Sequence, residues 1–117
     1  MSPLERLGLE VVAFTLLGSR WQAAMLMTLL DAKGQTCGWE RLASARAWRL
    51  NREGEDDTRQ STQCRVRFLR TSMDDIGLGG LIHTVGHVVG SRDKALGYSI
   101  PEPGRTQIIE RLISEAV

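Results

Sequence analysis

Residues 62–78, TQCRVRFLRTSMDDIGL, combine an apolar stripe with a basic face. At about 100° per residue, the stripe falls within a helical sector of roughly 80°. Its members are Thr62, Val66, Leu69, Met73 and Ile76. The three arginines and the glutamine of the same stretch lie outside that sector. The spacing therefore predicts a helix that packs by one side and presents guanidinium groups on the others.

Charge is distributed unevenly around this helix. Residues 58–73 contain four arginines and no acid, whereas the preceding EGEDD segment, residues 53–57, contains four acids. The formal net charge of the whole chain is +1, so total charge does not indicate a polyanionic partner. Segregation of the two signs nevertheless creates a directional field that favours a polyanion on the basic side.

Length and composition are typical of one globular domain spanning residues 1–117. A chain that is 42% hydrophobic and 25% charged is ordinary for a soluble protein. No apolar run approaches the roughly 20 residues of a membrane span, and the N-terminus lacks the basic start of a signal peptide. Cys37 and Cys64 are expected to be reduced rather than bridged. These features predict a cytoplasmic protein without a membrane partner.

Three helices are predicted before the basic one. Residues 2–18 begin with Ser-Pro, a common helix start, although the second half is apolar enough for a short strand instead. Residues 19–34 have Ser19 as a candidate cap and Gly34 after the last turn. Residues 38–48 form a shorter helix, and the charged residues 49–60 indicate a loop. The apolar positions of the first segment, which recur at helical intervals, are Leu4, Leu7, Val11 and Phe14.

The periodicity changes after residue 80. LIHTVGHVV (81–89) and KALGYSI (94–100) are rich in β-prone residues and flank GSRD, a turn by composition. They predict a β-hairpin that Pro101 and Pro103 end. Residues 104–117 then predict an amphipathic helix, with inward positions Ile108, Ile109, Leu112 and Ile113. The order of elements predicts a mainly helical α+β domain.

Three passages resemble, in order, the DNA-binding effector domains of OmpR/PhoB-type response regulators. LLDAKGQTCGWERLA resembles that family's LL…G…(S)xExL passage, with Gly38 at the usual capping serine. TQCRVRFLRTSM is similar to its VDVHIxxLRxxL recognition helix, with Val66 at the aliphatic position and Leu69-Arg70 at the Leu-Arg pair. IHTVG…LGYSI is similar to its IxTVxGxGYxI hairpin. The resemblance implies a winged helix-turn-helix core over about residues 19–101.

The sequence also departs from that family's pattern. No receiver domain is visible, and a helical or mixed segment stands where the family has a short N-terminal sheet. GHVVGSRDKAL lengthens the predicted wing. Residues 1–18 and 104–117 lie outside the core and are candidates for a homodimer interface. The resemblance thus implies a stand-alone regulator of bacterial or phage type.

The resemblance implies that the third helix of the core lies in the major groove of double-stranded DNA and that the hairpin wing lies beside it. Arginine suits this task because its planar fork matches both phosphate oxygens and the edge of guanine. Gln63 can form the amide pair with adenine, so Gln63 and Arg67 are the leading candidates for base contact. The residues expected to contact DNA are Arg59, Ser61, Gln63, Arg65, Arg67, Arg70, Arg92 and Lys94.

Within that set, phosphate contacts are expected from Arg59, Arg70 and the wing. Arg92 and Lys94 at the hairpin tip would enter a minor groove or hold the backbone. Such a protein would be a sequence-specific transcriptional regulator, cytoplasmic and nucleoid-associated when bound. A homodimer is expected, because so few cations bind weakly at physiological salt.

Other interpretations stay open. A basic helix face can be merely solvated. A winged helix can also act as an adaptor that docks on RNA polymerase or another regulator, and Phe68, where the family often has a basic residue, favours this alternative. Phe68 would otherwise contact a thymine methyl group or pack. The acidic segment 53–57 would face polymerase or simply solvent. No metal or other cofactor is expected, because His83 and His87 have no cysteine or carboxylate in register. No enzyme is expected, because the sequence has no recognisable nucleophile motif.

Overall fold

The structure, a computed structural model, describes residues 2–50, 59–87 and 95–116, with side chains for all of these except residues 46–50, 87 and 95. The described part holds five helices and a three-stranded antiparallel sheet, which confirms the predicted mainly helical α+β class. The elements are α1 (Pro3–Leu17), α2 (Arg20–Asp31), β1 (Cys37–Gly38), α3 (Trp39–Leu50), α4 (Arg59–Asp75), β2 (His83–His87), β3 (Ala95–Ser99) and α5 (Gly104–Ala116).

The first two helices are separated by a sharp break at Gly18. The hydroxyl oxygen of Ser2 accepts a hydrogen bond from the Glu5 N–H at 3.2 Å, which caps the start of α1. Gly18 ends α1 in the left-handed region (φ 73°), where glycine avoids the strain of a Cβ. Ser19 then caps α2, as predicted. Residues 3–17 are therefore helical throughout, and the alternative of a strand in their second half is excluded.

Helix α2 is the centre of the core. Nine consecutive residues, from Gln22 to Leu30, are buried. Helices α1 and α3 pack against α2, and α4 packs on it by its apolar side. In α4, four of the predicted inward residues, Thr62, Val66, Leu69 and Met73, are buried, and Ile76 is half-buried. The periodicity of residues 62–78 therefore predicted both the helix and its packing face.

The sheet has the strand order β1-β3-β2. Strands β2 and β3 pair antiparallel from His83↔Ser99 to His87↔Ala95, so the hairpin pairing is confirmed where it is described. Its tip, with Arg92 and Lys94, lies outside the described residues. Strand β1, which was not predicted, has only two residues and pairs Cys37 with Tyr98. Two residues carry no periodic signal, so only tertiary contact could reveal this strand.

Two expectations need correction. The predicted loop 49–60 is too long at both ends, because α3 continues to Leu50 and α4 begins at Arg59. Ile113 is 51% exposed, although it was expected to face inward with Ile108 and Leu112. The apolar stripe of α1 (Leu4, Leu7, Val11 and Phe14) lies on the outer side of the helix, whereas Leu9 and Ala13 face the core. None of the described helices is long and apolar enough to cross a membrane.

Candidate nucleic-acid interface

Helix α4 has one buried side and one side that the described residues leave open. Its apolar residues face the core, and the opposite surface is mostly polar. We define the outward face of α4 by the residues on that surface in its first three turns, Gln60, Gln63, Cys64, Arg67 and Phe68. Gln63 is half-buried and the other four are exposed. Among the described residues, the outward face of α4 is therefore open to solvent.

Arg67 is the arginine of α4 whose guanidinium group has no contact with the described residues. Its side chain is exposed, and its guanidinium group makes no hydrogen bond or ion pair with the described residues. The backbone carbonyl of Arg67 accepts a hydrogen bond from the Thr71 hydroxyl at 3.1 Å, which does not involve the side chain. Gln63 lies one turn earlier, so the two residues are neighbours on the same face of α4. Both side chains can form two parallel hydrogen bonds with a base.

Arg59 and Arg65 are stacked on tryptophans. The Arg59 guanidinium lies 5.4 Å from the ring centroid of Trp39, and its Nε is buried without a hydrogen-bond partner. The Arg65 guanidinium lies 5.4 Å from the ring centroid of Trp21 on α2. Both distances fall in the range of cation–π attraction. These two arginines therefore help to hold α4 on α2 and α3, a role that the sequence did not suggest.

Arg70 joins α4 to the start of the hairpin. Its Nη2 donates to the carbonyl of Ile82 and to the hydroxyl of Thr84, each at 2.9 Å. The same guanidinium lies 5.8 Å from the ring centroid of Tyr98, whose pKa is raised by burial, with Arg70 opposing that shift. Both hydrogen bonds use one nitrogen, so the remaining N–H groups can still donate to a phosphate. The predicted phosphate contact stays a prediction.

Four further residues of α4 bear on the expected contact with DNA: Ser61, Phe68, Asp74 and Asp75. Ser61 is half-buried and already has an interaction within the chain. Phe68 is 50% exposed and lies next to Arg67 on the outward face of α4. Asp74 and Asp75, at the end of the helix, are exposed acids that would repel phosphates. The cationic part of this surface therefore ends before the last turn of α4.

The two thiols differ sharply in accessibility. Cys64 belongs to the outward face of α4 and is exposed, whereas Cys37 on β1 is 1% exposed. Burial raises the pKa of the Cys37 thiol, an effect that the charge of Arg41 partly opposes. Cys37 is therefore a protonated, protected thiol near neutral pH, and Cys64 is a natural probe of the outward face. Within the described ranges, no group of three or more His, Cys, Asp and Glu residues could hold a metal ion.

Comparison with known proteins gives no match: no family model, no curated protein and no solved structure is significantly similar to this chain. The likeness of its motifs to response-regulator effector domains therefore stays a prediction from the sequence.

The contacts of Arg70 lead to a prediction about stability. Replacing Arg70 with methionine should lower the free energy of unfolding by about 1–3 kcal/mol, because the carbonyl of buried Ile82 loses a charged donor. The matched control is Arg67→Met, one turn away, which removes the same charge from an exposed side chain and should change stability by less than about 0.5 kcal/mol. Urea denaturation of both variants measures the difference. Equal losses would contradict the structural role of Arg70.

Proposed function

We propose that the protein is a sequence-specific, double-stranded-DNA-binding transcriptional regulator with a winged-helix core. In this proposal α2, α3 and α4 are the three core helices, α4 is the recognition helix, and the β2–β3 hairpin is the wing. The observation that carries the proposal is the outward face of α4, where Arg67 is exposed and unpaired among the described residues. The protein would be cytoplasmic, and nucleoid-associated when bound.

The proposed recognition step takes place in the major groove. That groove is about 12 Å wide and admits an α-helix, whose N-terminal residues usually contact the base edges. Gln63 and Arg67 lie in the first three turns of α4, with an amide suited to adenine and a guanidinium suited to guanine. Phe68 would contact a thymine methyl group beside them. Asp74 and Asp75 would keep the end of the helix away from the phosphates.

The sheet supports the proposed wing. Strand β1 connects α2 and α3 in the sequence and pairs with the second strand of the hairpin. The base of the hairpin is therefore fixed to the helical core. Arg70 also links α4 to the start of β2. These contacts would hold a wing at a constant position relative to the recognition helix. Arg92 and Lys94 remain the proposed wing contacts with the backbone or the minor groove.

A second function is favoured by one observation. Phe68 on the outward face of α4 is 50% exposed. That face has one arginine, Arg67, which is unpaired among the described residues, so it is less cationic than a strong DNA-binding surface. Exposed aromatic residues beside arginine are typical of protein interfaces. The alternative is therefore an adaptor that places this face on RNA polymerase or another regulator.

Genomic selection and thiol protection test the proposal together. Fragments of host DNA that bind at low salt should yield a shared sequence, and the affinity for it should fall steeply as salt rises. That duplex should slow the alkylation of Cys64 by a maleimide reagent several-fold, because Cys64 lies on the outward face of α4. A scrambled duplex of equal length is the control, and the buried Cys37 should stay unreactive throughout.

The outcomes separate the interpretations. Without any salt-sensitive duplex in the selection, the DNA-binding proposal is wrong. Binding with unchanged alkylation of Cys64 would show that another surface contacts the DNA. Protection of Cys64 by RNA polymerase, but not by DNA, would favour the adaptor.

A further inference from the structure

Helix α1 presents large apolar side chains on the side that faces away from the core. The exposed fractions along its apolar stripe are 78% for Leu4, 54% for Leu7, 58% for Val11 and 40% for Phe14. At about 100° and 1.5 Å per residue, the stripe occupies a sector of roughly 80° and a length of about 15 Å. The helix already buries Leu9 and Ala13 on its opposite side. Exposed apolar patches of this continuity mark interaction surfaces.

We propose that the apolar stripe of α1 pairs with the same stripe of a second copy of the chain, in an antiparallel arrangement. The steps between its members are three, four and three residues, which is the spacing of the contact positions in a coiled coil. This spacing is the same when counted from either end of the helix. Antiparallel pairing therefore sets Leu4 against Phe14 of the copy and Leu7 against Val11 of the copy. A two-fold interface requires this self-complementarity.

The surroundings of the stripe fit a second copy better than a charged partner. The exposed residues that flank it, Pro3, Gly8 and Thr15, are uncharged, and a Cβ at Gly8 would have no atom within 4 Å. Glu10, on the flank of Phe14, is buried and already has an interaction within the chain. Two helices can therefore approach closely on the Gly8 side of the stripe. The lack of a side chain at Gly8 leaves the backbone bare near the centre of the stripe, where the two helices would cross.

The charges at the ends of α1 favour the antiparallel orientation. Glu5 lies in the first turn, and the Arg20 guanidinium lies 5.7 Å from the Phe14 ring centroid at the other end. Antiparallel pairing opposes the two helix dipoles favourably and keeps the two Arg20 side chains apart. Parallel pairing would instead place the two Arg20 ends together. The helix dipoles and the Arg20 side chains thus favour the antiparallel orientation, and the apolar spacing sets the register.

The inference does not rest on DNA binding, because the oligomeric state is measured without DNA. Sedimentation of the full chain from micromolar to millimolar concentration should show a weak, concentration-dependent dimer, since the contact area of one helix is small. Val11→Glu should raise the dissociation constant at least about ten-fold. The matched control is Ile113→Glu on α5, which changes a similarly exposed residue (51%) outside the stripe and should leave the dimer intact. Circular dichroism should show both variants folded, because each position is at the surface.

Disulfide cross-linking tests the orientation. In a Cys64→Ser background, chains with Leu7→Cys and chains with Val11→Cys should cross-link faster when mixed than when each is alone. Faster linkage of Leu7→Cys to itself would show a parallel pair and overturn the proposal. A chain that stays monomeric at every concentration would also overturn it, as would a dimer that Ile113→Glu dissociates and Val11→Glu does not.

Discussion

Replacing Arg67 with alanine is expected to weaken binding to the selected duplex by about 5- to 150-fold, the equivalent of one bidentate base contact. The exposed Arg67 side chain has no partner among the described residues, so its removal should cost the folded chain little. The double change Gln63→Ala with Arg67→Ala should weaken binding by at least about 30-fold, because both base contacts would be lost. Fluorescence anisotropy on a labelled duplex measures each affinity.

The salt dependence of the Arg67→Ala variant distinguishes base reading from phosphate contact. If Arg67 reads a guanine, its loss should reduce discrimination between the selected and a scrambled duplex and leave the salt slope nearly unchanged. If Arg67 holds a phosphate, affinity should fall equally for both duplexes and the slope should decrease by about 1. Our proposal predicts the first pattern.

A control must remove one positive charge elsewhere without disturbing the fold. Lys33 is suitable, because it is exposed in the turn after α2 and lies in the left-handed region (φ 52°), which asparagine tolerates well. Lys33→Asn should therefore leave affinity for the duplex almost unchanged. An equal loss for Lys33→Asn and Arg67→Ala would mean that only the overall charge of the chain matters, and the recognition role of α4 would be abandoned.

A helix and its buried face could both be predicted from the sequence where the segment has a single apolar stripe. In α4 the residues from Thr62 to Met73 have a single apolar stripe, and that stripe is buried. In α1 the stripe with Leu4 and Val11 lies outside, whereas Leu9 is buried and Leu16 and Leu17 pack against the core from the other side of the helix. Periodicity shows that a segment is helical, but it does not show which of two apolar faces meets the core.

The roles of the arginines could not be predicted in the same way. Arg59 and Arg65 stack on tryptophans that are far away in the sequence, and Arg70 bonds to residues beyond the end of its helix. A helical projection places all of them near a polar surface and cannot show an aromatic ring on a neighbouring helix. The exposed position of Arg67 agrees with the projection, because nothing else in the described chain reaches it.

The largest expected loss of stability comes from Gly97→Ala in β3. A Cβ at this position would lie 2.6 Å from the carbonyl oxygen of Cys37 and 2.8 Å from Cγ2 of Thr36. The first of these atoms belongs to the backbone of β1, so a rotamer change cannot relieve the overlap. Strand β1 would have to move away from β3 and expose part of the buried Cys37 side chain. We expect the free energy of unfolding to fall by about 2–3 kcal/mol, as measured by urea denaturation.

The control for Gly97→Ala is the same substitution at Gly8, where a Cβ meets no atom within 4 Å. Alanine in the exposed interior of α1 should raise the free energy of unfolding by about 0.5–1 kcal/mol, provided that the protein is dilute enough to be monomeric. Alkylation of Cys37 adds a local measurement, because displacement of β1 should make this thiol react in the Gly97→Ala variant and not in Gly8→Ala. If Gly97→Ala left both stability and Cys37 protection unchanged, β1 could not pair with β3 as closely as the structure has it. The attachment of the proposed wing to the helical core would then lose its basis.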